Sequence, residues 1–92
     1  MSHEKQICFY LSGIVQGVGM RQHIKSQADS LGIKGFVRNL PDGRVQCVAQ
    51  GAPEVLQELK EILANARVGR VKDIQEEELE EKAEYKDFTI KP

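Results

Sequence analysis

The sequence predicts an α+β fold in which two helices cover one face of a mainly antiparallel sheet. Three observations carry this expectation. An apolar alternation stands near the N-terminus, and two amphipathic segments are separated by a pair of strand-like runs. The chain has 92 residues, enough for one hydrophobic core and too few for two. Residues 1–92 are therefore expected to form a single domain.

The elements follow in order. Ile7, Phe9 and Leu11 alternate with Cys8, Tyr10 and Ser12, the period of two that marks a strand with a buried face. After a glycine-containing loop, Ile24, Ala28 and Leu31 recur at helical spacing with polar residues between them. That helix should run about ten residues and stop at Gly32, a residue type suited to a left-handed C-terminal cap. The next run, "IKGFVRNLPDGRVQCVAQG", reads as two strands around Pro41-Asp42-Gly43, because Pro presets φ and Asp-Gly tolerates the turn. Pro53 opens a second helix where its missing N–H costs least, and Val55, Leu56, Leu59, Ile62 and Leu63 give it one apolar stripe. Val68, Val71 and Ile74 suggest a fourth strand, and "YKDFTI" a short last one. The resulting order, βαββαβ with a short extra strand, is that of a ferredoxin-like α/β sandwich, whose usual strand order is 4-1-3-2. The place of the last strand does not follow from the pattern.

Composition excludes several classes. Thirteen basic residues against 14 acidic ones leave a net charge of −1, which argues against a nucleic-acid surface held by bulk electrostatics. The third strand-like run has no aromatic residue, so a base-stacking RNA-binding sheet is not expected either. The longest apolar run, Ile7 to Leu11, cannot span a membrane. No basic region followed by an apolar segment marks a secretory signal in "MSHEKQ", so a cytoplasmic location is expected. Cys8 and Cys47 form no CxxC motif, and with His3 and His23 they make no convincing metal set. The segment "EEELEEKAE", Glu76 to Glu84, carries six glutamates and is read as a solvated strand end or loop.

The stretch "SGIVQGVGMRQ", Ser12 to Gln22, is the candidate functional loop. It fails both strict nucleotide motifs: Gly19 is followed by Met20 and Arg21 where a P-loop needs Lys and Ser or Thr, and Gln22 stands where GxGxxG needs glycine. The physics common to those motifs still applies. Glycines let backbone N–H groups converge, and a helix beginning directly afterwards adds unpaired donors and a partial positive charge. A cation in the first helical turn, here Arg21, opposes the macrodipole by about 0.3–1 kcal/mol. A bound anion reverses that penalty, and a guanidinium can grip two phosphate oxygens. Alternatively, the loop is a glycine-rich turn with a solvent-facing arginine.

Asn39 is the second candidate. In this topology strands one and two run parallel on either side of strand three, so their ends lie on one edge about 9–10 Å apart. An amide there could position a water, since its carbonyl accepts and its NH₂ donates. Beside Pro-Asp-Gly it could equally be a turn former. His23, two residues past Arg21, is expected on the surface.

Taken together and in this order, "GIVQGVGMR", "GFVRNLPDGRV", "ARVGRV" and the ending "YKDFTI" resemble the acylphosphatase family from about Ile7 to Ile90. The resemblance implies a small ferredoxin-like enzyme that hydrolyses the carboxyl-phosphate anhydride of acyl phosphates without a metal or cofactor. It implies that Arg21 binds the phosphoryl group, that the amides of Gly17, Val18, Gly19, Met20 and Arg21 form its cradle, and that Asn39 orients the attacking water. Inorganic phosphate or a similar anion should occupy the same loop, and the chain should act as a monomer without nucleic-acid or membrane partners. Two positions depart from the family pattern. Met20 precedes the arginine where phenylalanine is usual, and Phe36 stands where a larger ring is common. Methionine fills such space flexibly, so both departures should touch rate or packing before chemistry. A non-catalytic anion-binding module on the same fold is the competing expectation.

Overall fold

The computed structural model describes residues 4–80 and 83–92. The elements are β1 (Lys5–Ile14), α1 (Met20–Leu31), β2 (Lys34–Asn39), β3 (Val45–Gly51), α2 (Pro53–Ala64), β4 (Arg70–Glu78) and β5 (Phe88–Ile90). They build one five-stranded sheet in the order β4-β1-β3-β2-β5. The four-strand part matches the ferredoxin-like expectation. β5 extends it at the β2 edge as a parallel neighbour, with Gly35 opposite Phe88 and Val37 opposite Ile90.

The core lies between the helices and one sheet face. Phe9 and Leu11 from β1, Val37 from β2 and Val45, Cys47 and Ala49 from β3 meet Ile24 and Ala28 of α1 and Leu56, Leu59 and Leu63 of α2. The apolar stripe expected on α2 is the one buried, with Val55 and Ile62 at its half-buried margin. On α1, Ile24 and Ala28 are buried as expected, and Met20 joins them at the first turn.

Helix ends follow the local chemistry. Ile33 N–H donates to Ala28 O at 2.8 Å and Gly32 N–H to Asp29 O at 3.2 Å, a Schellman closure that ends α1. Pro53 starts α2, and Leu56 N–H donates to Ala52 O at 3.0 Å. The turn between β2 and β3 closes through Leu40 N–H to Arg44 O at 2.8 Å and Gly43 N–H to Leu40 O at 3.1 Å. Asp42 braces it, accepting from Arg44 N–H at 3.0 Å and Arg44 Nε at 2.8 Å. The backbone bond from Arg44 is the largest cause holding the Asp42 carboxyl below its ordinary pKa.

The structure differs from the sequence pattern at the fourth strand. β4 begins at Arg70, so Val68 lies in the bend before it. The acidic segment is a strand end: Glu76, Glu77 and Glu78 are exposed on β4, where Glu76 pairs with Lys60 and Glu78 with Lys5. Glu81 and Lys82 lie outside the described residues. Cys8 is opposite Val48 and Cys47 opposite Phe9 on neighbouring strands, so the two thiols point to opposite sheet faces. Both are buried and free, and this placement forbids their pairing.

Candidate active site

The strand β1 delivers the chain to the edge where α1 begins, and the segment between them bends sharply. Gly17 and Gly19 have φ of 73° and 82°, in the left-handed region that L side chains avoid. A Cβ at either glycine would meet nothing within 4 Å, so glycine is required there by backbone conformation and not by crowding. Gly19 is the N-cap of α1 and offers no side-chain acceptor to the first turn, which contains no acidic residue.

The first α1 amide with a backbone acceptor is that of His23, donating to Gly19 O at 3.0 Å. Among the described residues, no backbone carbonyl accepts from the amides of Gly17 through Gln22. This is a run of free donors at the positive end of a helix. Arg21 adds a full charge to it. Its Nη1 donates to Lys91 O at 3.3 Å, and no ion pair holds it among the described residues.

A cavity of about 110 Å³ is lined by Val15, Gly17, Gly19, Met20, Arg21, Gln22 and Asn39. The two elements expected to converge do so: the loop with Arg21 on one side, the end of β2 on the other. Asn39 faces the core side of the sheet, being opposite the buried Val45. Its Oδ1 is buried and has no hydrogen-bond partner among the described residues. A buried acceptor of this kind costs about 1–3 kcal/mol if nothing donates to it, and Asn39 lines the same cavity as Gly17, Gly19, Met20 and Arg21.

Two residues are placed otherwise than their neighbours. The Val18 side chain does not line the cavity. It packs on the core and lies so close to Gly69 that a Cβ there would come within 2.7 Å of its Cγ2. His23, expected on the surface, is half-buried with Nε2 enclosed and unpartnered, and it lines a separate cleft with Ile62, Asn65, Ala66, Arg67 and Val68. α1 turns it away from the loop, two residues on from Arg21.

Sequence reasoning passed over Gln16. Its Nε2 donates to Leu40 O at 2.8 Å and to Arg44 O at 2.9 Å, tying the start of the loop to the β2–β3 turn. The available signal was its being the one polar side chain between Ile14 and Met20. A larger cleft, about 550 Å³, lies at the far end of the sheet beside Gln6, Gln50 and residues 83–86. It has neither the glycine loop nor a helix start. The small cavity is therefore the better candidate site despite its size, and 110 Å³ suits one small group where drug-sized ligands need about 300–1,000 Å³. No three His, Cys, Asp or Glu side chains group to hold a metal among the described residues.

A ferredoxin-like sandwich with a glycine-containing loop and a small cavity at the start of its first helix defines the class. Comparison with known proteins narrows it. The Acylphosphatase family model matches residues 7–90, and this chain belongs to the acylphosphatase family. It is 42% identical over 88 residues to an acylphosphatase from Caldanaerobacter subterraneus subsp. tengcongensis, covering 95% of this chain and 98% of that one. The crystal structure of acylphosphatase from Bacillus subtilis superposes with a TM-score of 0.89 at 33% identity, covering 95% of this chain and 98% of that one. An acylphosphatase structure from Coxiella burnetii gives 0.87 at 32%, covering 96% and 93%. No helix among the described residues is long and apolar enough to cross a membrane.

Proposed function

We propose that this chain hydrolyses the carboxyl-phosphate anhydride of acyl phosphates to carboxylate and inorganic phosphate at the cavity between the 15–19 loop and Asn39. The observation that carries the reading is the orphaned Asn39 Oδ1, a buried acceptor of a residue that lines the same small cavity as Gly17, Gly19, Met20 and Arg21. Each part then has a role. The amides of Gly17, Val18, Gly19, Met20 and Arg21, with the Arg21 guanidinium, hold the phosphoryl oxygens and offset the charge that grows on them. Asn39 Oδ1 accepts from the attacking water and fixes its approach.

The chemistry asks for little else. The leaving group is a carboxylate of low basicity and needs no general acid. The dianionic phosphoryl group itself accepts the water's proton, so no side-chain base is required, consistent with His23 lining a different cleft. Catalysis is positioning and electrostatic stabilisation, and the reading needs no metal. Loop, arginine and asparagine all come from one chain, so one copy suffices.

Steady-state hydrolysis of benzoyl phosphate beside p-nitrophenyl phosphate, after exhaustive chelation, tests this. Turnover of the first without the second is expected. Phosphate binding without turnover of benzoyl phosphate would make the site a binding module, and activity that returns only on adding a divalent ion would overturn the metal-free mechanism.

A further inference from the structure

Gln16 has no part in the reaction as described, yet it makes the two side-chain hydrogen bonds that join the loop to the β2–β3 turn. Its Nε2 donates to Leu40 O at 2.8 Å and to Arg44 O at 2.9 Å. Those carbonyls are the ones that close the turn: Leu40 O also accepts from Gly43 N–H at 3.1 Å and Arg44 O from Leu40 N–H at 2.8 Å. Each acceptor thus already has a backbone donor before Gln16 arrives. The glutamine adds a constraint between two segments; it does not rescue a buried carbonyl.

The geometry says what is constrained. A primary amide nitrogen has two N–H groups in one plane, and both are engaged, so the side chain has no free donor about which to slide. At one end stands the first residue of the bend that leads to Gly17, Gly19 and Arg21. At the other is Leu40, the residue immediately after Asn39, which ends β2. Among the described residues no other side-chain hydrogen bond spans the 15–19 loop and the 40–44 turn. The backbone ladder sets the level of Asn39 through Val45; among the described residues, the Gln16 amide makes the side-chain hydrogen bonds that tie that level to the cradle.

We propose that Gln16 is a positioning residue for hydrolysis, fixing the distance between the phosphate cradle and Asn39 so that the held water meets the phosphorus in line. The proposal rests on the role of Asn39 given above. A shift of about 1 Å in such an arrangement can lower the rate by about a hundredfold while leaving ground-state contacts intact.

The test is steady-state kinetics on benzoyl phosphate, with inorganic phosphate as competitive inhibitor, for Gln16→Ala and Gln16→Met in the wild-type and Asn39→Ala backgrounds. Methionine keeps the length of the side chain and removes its donor. The expected result is a kcat lower by about ten- to a hundredfold with the phosphate inhibition constant within about threefold of wild type. In the Asn39→Ala background the same substitutions should change the residual kcat by less than about twofold, because the group they position is gone. Equal losses in both backgrounds, or phosphate affinity falling in step with kcat, would overturn the proposal. So would a Gln16→Met chain that does not fold, which would make the bridge a requirement of the fold. Wild-type rates in the Gln16 variants beside an impaired Asn39→Ala would defeat this inference alone. A wild-type rate in Asn39→Ala would defeat the water-orienting role and this inference with it.

Discussion

Leu11 and Asn39 stand level in the sheet, each opposite Val45 from its own side of β3. Because opposed residues in antiparallel pairs share a face, both side chains lie on the face that the helices cover. β1 and β2 therefore present their ends on one edge, and the loop leaving β1 meets the side chain that ends β2. Strand register thus brings residues distant in sequence to one cavity.

Arg21 and Asn39 should be separable by experiment. In the proposed mechanism Arg21 supplies charge to the phosphoryl oxygens in ground and transition state, whereas Asn39 contacts the water. Arg21→Ala should lower kcat/KM for benzoyl phosphate by about 10²–10³-fold or more and abolish competitive inhibition by phosphate. Asn39→Ala should lower kcat by a similar factor and leave phosphate inhibition near wild type. Equal phosphate affinity in the two variants would show the roles to be wrongly divided.

Gly19 adopts φ 82° as the N-cap of α1 with open space where a Cβ would go. Substitution should therefore cost backbone strain only. Gly19→Ala should lower unfolding free energy by about 1–2 kcal/mol, and Gly19→Asn by less, since asparagine tolerates the left-handed region. Urea denaturation of the three proteins checks the order; an asparagine variant less stable than the alanine one would contradict it.

Much of this architecture was readable because period and punctuation agree. The alternation Ile7, Phe9, Leu11 is the face of β1 turned to the helices, with Phe9 and Leu11 buried and Ile7 half-buried, and the α2 stripe is the stripe packed on the core. Gly17 and Gly19 marked a loop that needs left-handed backbone, and both adopt it, with φ of 73° and 82°. What stayed hidden depends on partners that carry no residue signature. β5 is a strand of three residues whose place is set by a parallel pairing with β2, which no local periodicity encodes. The acceptors of Gln16 are backbone carbonyls, present whatever residues stand at 40 and 44. His23 was misjudged because its exposure depends on the 65–68 segment packed beside it.

Met20 is the N-terminal residue of α1 and is 1% exposed, part of the core and of the cavity wall at once. Met20→Ala should lower stability by about 2–5 kcal/mol and reduce activity as well, because the first turn carrying Arg21 loses its anchor. Met20→Leu conserves volume and should cost less than about 1.5 kcal/mol with near-normal phosphate inhibition. Thermal unfolding and phosphate inhibition, measured together, decide this: a stable, fully active Met20→Ala would remove Met20 from the site.

Cys47 is fully buried between β1, β2 and the helices, and burial first, with the nearby Cys8 second, pushes its thiol well above the ordinary range. In the unfolded chain the same thiol loses its proton near pH 8.5. Above that pH the folded state holds a proton that the unfolded state has released, so unfolding becomes easier as pH rises. The stability contributed is complete below about pH 8.5 and declines above it, by up to about 1.4 kcal/mol per pH unit for one proton. Tyr10 is raised in the same sense, so wild type alone cannot isolate the thiol. Cys47→Ala can, because it retains Tyr10. Urea unfolding of both proteins between pH 8 and 10 should give a shallower decline in the variant, by close to one proton, on top of a constant offset from the lost side-chain volume. Parallel declines would mean that Cys47 reaches solvent and titrates in the folded protein, against the closed core that the sheet and helices build around it.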